Sequence, residues 1–258
     1  MNSLATRNYT LAELMVVAAS REIKDNDIVF VGMRLPLLAF LVAKQLHAPN
    51  SFALYENGVI RQTPAPELLF TMGDPPNILN ATMATDMMTV MSILQNRKVD
   101  IGFLGAGEVD RFGNLNSTSV SKPDGTRVRL PGSGGAADIA SLAKRTVALM
   151  EHSKNRLPAR VSYVTSPGHG TGPGWRESVG LPPGGLSCLI TTKAVMRFDE
   201  ITKEAQLISA HPGITFDELQ RETGWELSAP GQLVETAAPT EEELKLTRKI
   251  DPDRFWTS

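Results

Sequence analysis

The segment Phe52-Ala53-Leu54-Tyr55-Glu56-Asn57-Gly58-Val59-Ile60 decides how the chain is read. An apolar run ends in a carboxylate, an amide and a glycine, and apolar residues then resume. The run predicts a short buried strand, and the Asn-Gly pair predicts a turn at its end. Glu56 then stands where a central strand runs out, at the rim of a sheet. In open α/β sheets that rim is where ligands bind. A carboxylate there is either an ordinary turn residue or the chemical centre of the protein. Composition alone favours the first, because such turns are common.

The flanking pattern supplies the sheet. Thr10-Leu11-Ala12-Glu13 is a capping-box pattern that opens an amphipathic helix to about Ile23. Ile28-Val29-Phe30-Val31 is a continuous apolar run, typical of a strand buried on both faces. Gly32-Met33-Arg34-Leu35 forms a loop, and Pro36 suits the first turn of a helix to about His47. Prolines and glycine between Thr63 and Thr82 predict a loop, followed by a helix from Asp86 to Lys98. Asp100–Gly107 is a glycine-rich strand with its exit, Asp110–Pro131 is polar loop, and a helix runs from Ala136 to about Lys144. Apolar runs follow at Thr146–Met150 and Val161–Val164. This alternation predicts an α/β fold with an open, mostly parallel sheet and flanking helices. Leu186–Thr191, Ala194–Phe198 and Ala205–Ser209 lie close in sequence and predict an antiparallel C-terminal part. Thr215 and Glu218 form a second capping-box pattern, and Thr240 precedes Glu241-Glu242-Glu243 at a further helix start. With no linker or repeat, a single domain over residues 1–258 is expected.

Composition excludes several classes. A formal net charge of −2 implies no broad basic surface for nucleic acid. Aromatic residues are sparse at 6% and none interleave with basic ones, which argues against single-strand binding. The one cysteine, Cys188, rules out a disulfide framework within the chain, makes the cytoplasm the expected compartment and reads as a small core residue. Met1–Arg7 lacks a basic stretch followed by a long apolar one, so no signal peptide is expected. No run of about 18 apolar residues predicts a membrane span. His47, His152, His169 and His211 are scattered without metal-ligand spacing, so no metal site is expected. G-x-G-x-x-G, P-loop and G-x-S-x-G patterns are all absent.

Three segments can carry chemistry. Glu56 could act as a carboxylate nucleophile on a thioester or phosphoryl centre, with Gly58 allowing close backbone approach. Gly132-Ser133-Gly134-Gly135-Ala136 precedes a helix, where backbone N–H groups bind phosphate or a developing oxyanion, or simply make a strand-to-helix turn. Val31-Gly32-Met33-Arg34-Leu35-Pro36 is another strand end feeding a helix; Arg34 there can meet an acidic group, or the segment is a structural loop. Gly168-His169-Gly170-Thr171-Gly172-Pro173-Gly174 is a glycine-rich loop whose use the pattern leaves open.

Taken in order, Val31–Leu37, Glu56-Asn57-Gly58, Gly113-Asn114-Leu115-Asn116-Ser117-Thr118, Gly132–Ala136, Tyr163–Gly168, Gly172–Glu177, Gly180-Leu181-Pro182 and Phe198-Asp199 resemble the β subunit of family I CoA-transferases, in particular that of the glutaconate CoA-transferase type. The resemblance covers nearly the whole chain, and its specificity lies in the joint order of the motifs. It implies an open α/β sheet related to sugar-phosphate isomerases. It implies CoA transfer from an acyl-CoA to a carboxylic acid, with Glu56 as the covalent nucleophile and a coenzyme A thioester as substrate rather than a tightly bound cofactor. Backbone amides at Gly32, Gly134 and Gly135 become the oxyanion and CoA-binding candidates, and Arg34, Tyr55 and Asn57 the substrate-binding ones. Many members carry serine before the glutamate; Tyr55 stands there, which alters the substrate pocket. By position alone, Arg34 and Arg61 flank the proposed site and would favour a dicarboxylate, or are simply exposed surface arginines near loops. The resemblance further implies an α subunit of the same fold as partner, in an α2β2 or larger complex, with no nucleic acid and no membrane. The alternatives are a CoA-thioester hydrolase or decarboxylase on the same scaffold, acting on ring-opening or glutaconyl-type substrates, and a non-enzymatic effector-binding module. Retention of Glu56 favours transfer over the former, and the lack of an appended helix-turn-helix disfavours the latter.

Overall fold

The computed structural model describes residues 8–121, 125–229 and 231–258; Met1–Arg7, read above for a signal peptide, lies outside them. In chain order the elements are α1 (Leu11–Ser20), β1 (Ile28–Phe30), α2 (Leu35–Leu46), β2 (Phe52–Leu54), β3 (Val59–Arg61), β4 (Met83–Ala84) and α3 (Met87–Gln95). Then come β5 (Ile101–Gly105), β6 (Glu108–Val109), β7 (Leu115–Asn116), β8 (Ser119–Ser121), β9 (Arg127–Arg129), α4 (Ala136–Leu142) and β10 (Arg145–Met150). The chain closes with α5 (Trp175–Ser178), β11 (Leu186–Thr191), β12 (Ala194–Phe198), β13 (Ala205–Ala210), α6 (Phe216–Arg221), β14 (Val234–Glu235) and α7 (Glu241–Ile250). Contacts group these into two units: residues up to Ser92 with Ala237–Ser258, and Ile93–Thr236.

In the first unit β1 and β2 pair in parallel, and β3 returns antiparallel to β2 before pairing with β4. The capping box expected at α1 forms: Thr10 Oγ1 accepts from the Glu13 amide, and the Glu13 carboxylate accepts from the Thr10 amide at 2.8 Å. The Thr240–Glu243 box at α7 forms in the same way. Helices α1, α2 and α7 pack together over Val16, Leu38 and Val42, all fully buried, with Leu246, Ile250 and Trp256 against them. Each such aliphatic side chain contributes about 1.5–3 kcal/mol on burial. The Arg248–Glu13 ion pair, 2.7 Å with Glu13 fully buried, ties α7 to α1.

In the second unit the strand order is β14-β13-β12-β11-β10-β5. β5, β10 and β11 are parallel, whereas β11, β12 and β13 run antiparallel, as expected for the C-terminal part. Helix α4 sits close to β5 because Gly102 has no side chain; a methyl there would overlap Ile139. Cys188 is a fully buried core residue.

Three local expectations change. The polar stretch after Asp110 is not all loop, since β6 pairs with β7 and β8 with β9 in short antiparallel ribbons. Each strand is two or three residues long, too short for an alternation to register. Conversely Val161–Val164 is not a strand. Its Val161 and Ser162 amides donate to the carboxylates of Asp110 and Glu108, so this backbone is satisfied by side chains instead of a ladder. At α6, Thr215 caps the Glu218 amide, but the Glu218 carboxylate accepts from Lys193 Nζ at 2.6 Å instead of closing a box.

Candidate active site

Glu56 lies in the first unit, directly after β2, which is flanked by β1 on one side and β3 on the other. The connection to β3 is tight: the Tyr55 amide donates to the Val59 carbonyl at 2.9 Å, and the Gly58 amide to the Tyr55 carbonyl at 3.0 Å. Gly58 adopts φ +101°, a conformation that disfavours any side chain. A methyl at Gly58 would also overlap the Thr85 carbonyl, because the chain beyond β4 crosses the turn and the Thr85 amide donates to the Gly58 carbonyl at 3.0 Å. The glycine therefore sets where Glu56 points. The glutamate itself is half-buried.

Its neighbours divide into supports and exposed groups. Tyr55 is 2% exposed, so its visible role is packing beneath the turn; burial pushes its phenol pKa up, against the opposing pull of the Arg61 charge. Asn57 is exposed and donates from Nδ2 to the Met72 carbonyl at 2.6 Å, which fastens the 63–82 loop to the turn. Gly32, half-buried, and Arg34 follow β1 within the same unit. Arg34 is exposed, holds φ +68° at the start of α2, and lays its guanidinium over the Trp256 ring at 5.2 Å.

Arg61 corrects the sequence reading. Instead of flanking a substrate it is 1% exposed, and its guanidinium donates to the carbonyls of Thr63 (3.0 Å), Pro64 (2.9 Å) and Asn77 (2.5 Å). Loop carbonyls lacking a ladder partner need a donor, and a fork of five N–H groups supplies it. The sequence shows only an arginine ending an apolar strand before a proline-rich segment, which does not reveal these carbonyls as its partners.

Gly134 and Gly135 belong to the second unit. Gly132 and Gly134 both have positive φ, +103° and +47°, and Gly135 is the residue before α4. The Gly132 amide donates to the Ser117 carbonyl and Ser117 Oγ to the Gly132 carbonyl, each at 2.8 Å, which clamps the start of the turn. Among the described residues the Gly134 N–H makes no hydrogen bond.

The remaining resemblance motifs form a brace in this unit. Asn114 is the hub: Nδ2 donates to the Asp110 carboxylate at 3.1 Å and to the Gly170 carbonyl at 2.8 Å, and Oδ1 accepts from the amides of Gly168 and Gly170. Asn116 donates to Glu108 at 2.7 Å, and Thr118 Oγ1 meets Thr165 Oγ1 at 2.7 Å. Gly168 lies against Gly113, and Gly170 beneath the Trp175 ring, so close that a side chain at either would overlap its neighbour. The glycine-rich loop is thus a packed structural element. Burial raises the Asp110 pKa, while the Asn114 side chain and amide pull it back.

The fold and this turn define a CoA-transferase-type α/β subunit. Residues 12–222 match the family model described as Coenzyme A transferase, and the chain belongs to that family, as an enzyme subunit of its β type. The corresponding β-type subunit of the 3-oxoadipate CoA-transferase from Pseudomonas knackmussii is 36% identical over 244 residues, 94% of each chain. The crystal structure of glutaconate coenzyme A-transferase from Acidaminococcus fermentans superposes with a TM-score of 0.91 at 32% identity, covering 97% of this chain and 98% of that one. The crystal structure of the decarboxylase AibA/AibB superposes at 0.81 with 26% identity, covering 96% and 97%. Among the described residues no helix is long and apolar enough to cross a membrane.

Proposed function

We propose that Glu56 is the covalent nucleophile of a two-step CoA transfer from an acyl-CoA to a carboxylic acid. The observation that carries this reading is a half-buried glutamate held at the end of an interior strand by a turn that only glycine can complete, in a chain of the coenzyme A transferase family. The Glu56 carboxylate attacks the thioester carbonyl; the C–S bond breaks and CoA thiolate leaves, giving a mixed anhydride. The thiolate then attacks the glutamyl carbonyl of that anhydride, releasing the donor's carboxylate and leaving a glutamyl-CoA thioester. An acceptor carboxylate runs the same steps in reverse. Each tetrahedral intermediate carries an oxyanion, and one well-aimed N–H donor lowers its energy by about 3–4 kcal/mol. The Gly32 amide and the amides of Gly134 and Gly135 are assigned to the acyl-CoA in this role. Asn57 and Tyr55 shape the turn from above and below, and Arg34 offers a cation to a second substrate carboxylate.

The partner follows from the relatives. The matching 3-oxoadipate CoA-transferase chain is itself named as one subunit of its enzyme, which supports an α subunit of the same fold as partner. The test uses the assembled enzyme. After incubation with acyl-CoA and no acceptor, an enzyme–CoA thioester should form on Glu56, and borohydride should reduce it and abolish transfer. Glu56→Ala should block both. Transfer that survives both treatments overturns the reading. Similarity to a decarboxylase favours one alternative, loss of CO2 from the acyl-CoA, which would appear as CO2 release without any acceptor acid.

A further inference from the structure

Strands β8 and β9 form a ribbon with Ser119 opposite Arg129 and Ser121 opposite Arg127. Alternate residues of a strand share a face, so both arginines and both serines lie on one side. The two arginines are exposed, and among the described residues neither is in an ion pair. The Arg127 Nε–H donates to Ser119 Oγ at 2.7 Å, and that serine is 6% exposed. This bond helps fix the guanidinium plane. Thr118, Ser119, Arg127 and Arg129 together line a shallow cavity of about 290 Å³. Two like charges about 7 Å apart on one face repel, and the natural remedy is a ligand with several anionic oxygens. Phosphate fits the fork of a guanidinium and accepts from hydroxyls as well.

The ribbon is also anchored to the glycine turn. The Leu130 amide donates to the Thr118 carbonyl at 2.9 Å, and the paired Ser117–Gly132 bonds close its base where Gly132–Gly135 begins. The geometry points to the Arg127–Arg129 face as the subsite for the phosphates of the CoA nucleotide. This rests on the assignment of acyl-CoA to the glycine turn above. Sequence reading missed it because two arginines in a polar stretch look like ordinary surface charge until pairing puts them on one face.

The test compares three thioesters of one acyl group on the assembled enzyme: acyl-CoA, acyl-3′-dephospho-CoA and acyl-pantetheine. Each arginine contributes charge-assisted hydrogen bonds, so Arg127→Gln or Arg129→Gln should lower the preference for acyl-CoA over acyl-pantetheine about tenfold, and the double variant about a hundredfold. A collapse of the preference over the dephospho form assigns the 3′-phosphate; a collapse only against pantetheine assigns the pyrophosphate. Raising ionic strength on the unmodified enzyme should raise KM for acyl-CoA and leave that for acyl-pantetheine in place, a readout that needs no variant to fold. An unchanged preference in a folded double variant, or equal salt response of the two substrates, overturns the proposal. Failure of the Glu56 reading shows differently, as transfer from all three thioesters retained in Glu56→Ala.

Discussion

Two regions carry the family motifs, and they are built in opposite ways. The Asp110–Thr118 brace saturates its polar groups: Asn114, 4% exposed, uses both ends of its amide on four different groups. The Tyr55–Gly58 turn is shaped by backbone bonds and one glycine, and it leaves its carboxylate half-exposed. A buried amide with every hydrogen-bonding site filled has no capacity left for a substrate, so it serves the fold. A carboxylate held by the turn beneath it can meet a ligand. The contrast predicts that lesions in the brace reduce stability, whereas lesions in the turn reduce turnover.

The largest stability effect should come from Asn114→Ala. The change removes the side-chain donor to Asp110, which keeps the amides of Phe112, residue 114 and Val161, and it leaves the buried Gly168 amide and the half-buried Gly170 amide without an acceptor. Unsatisfied groups of this kind cost about 1–3 kcal/mol each, so a loss of about 4 kcal/mol is expected. Calorimetry should read it as a fall in Tm of roughly 10 °C, with kcat per folded molecule retained. A normal Tm with collapsed kcat would reverse the division between the regions.

A second saturated group tests the same division through pH. His152 is 3% exposed, with Nδ1 at 2.9 Å from Thr191 Oγ1 and Nε2 at 3.2 Å from Thr223 Oγ1. Burial lowers its pKa from 6.5 to about 4, with Glu222 opposing and Lys193 reinforcing the shift. The unfolded chain therefore takes up this proton near pH 6.5, and the folded chain only near pH 4. Stability from this group is complete above the first value and is lost as pH falls through the window, by roughly 3 kcal/mol in all. Urea unfolding at about pH 7 and about pH 4.5 should differ less in His152→Gln than in the unmodified chain. An equal difference would mean that other groups carry the acid sensitivity.

What the sequence revealed follows the same line. Contiguous patterns were legible: the Thr10–Glu13 capping box, the buried strands and the Asn-Gly turn rest on residues within about one helical turn of each other, whereas the Thr215–Glu218 pattern stays open because Glu218 meets Lys193, 25 residues away. The use of Arg61 was not, since the carbonyls it meets lie up to 16 residues away across a loop. The brace was not legible either, because Asn114 and Gly170 are 56 residues apart and nothing local requires their bond. Glu56 stands out at once, yet its neighbours alone leave it an ordinary turn residue. The order of motifs across the chain changes that reading.

Gly58→Ala probes the turn. Left-handed backbone at a non-glycine residue costs about 1–3 kcal/mol, and the overlap with the Thr85 carbonyl must be relieved by moving the turn. We expect a stability loss of about 2–3 kcal/mol and a loss of turnover far beyond it, because Glu56 moves with its support. Gly125→Ala is the control: its φ is +82° but among the described residues its methyl meets nothing, so it should cost about 1 kcal/mol and leave kcat alone. Similar kcat values for the two variants would show that the turn does not position the reacting group.

The smallest effect separates a hub from its rim. Ser162 Oγ donates to Glu108 Oε2 at 2.6 Å and accepts from Asn116 at 3.1 Å, but its residue is exposed. Water can replace the lost hydroxyl, and Glu108 keeps the Asn116 amide and the Ser162 backbone N–H. Ser162→Ala should therefore cost about 1 kcal/mol, near the net worth of one hydrogen bond. Combined with Asn114→Ala, a total loss equal to the sum would show two independent bonds, and a smaller total would show that rim and hub fail together as one network.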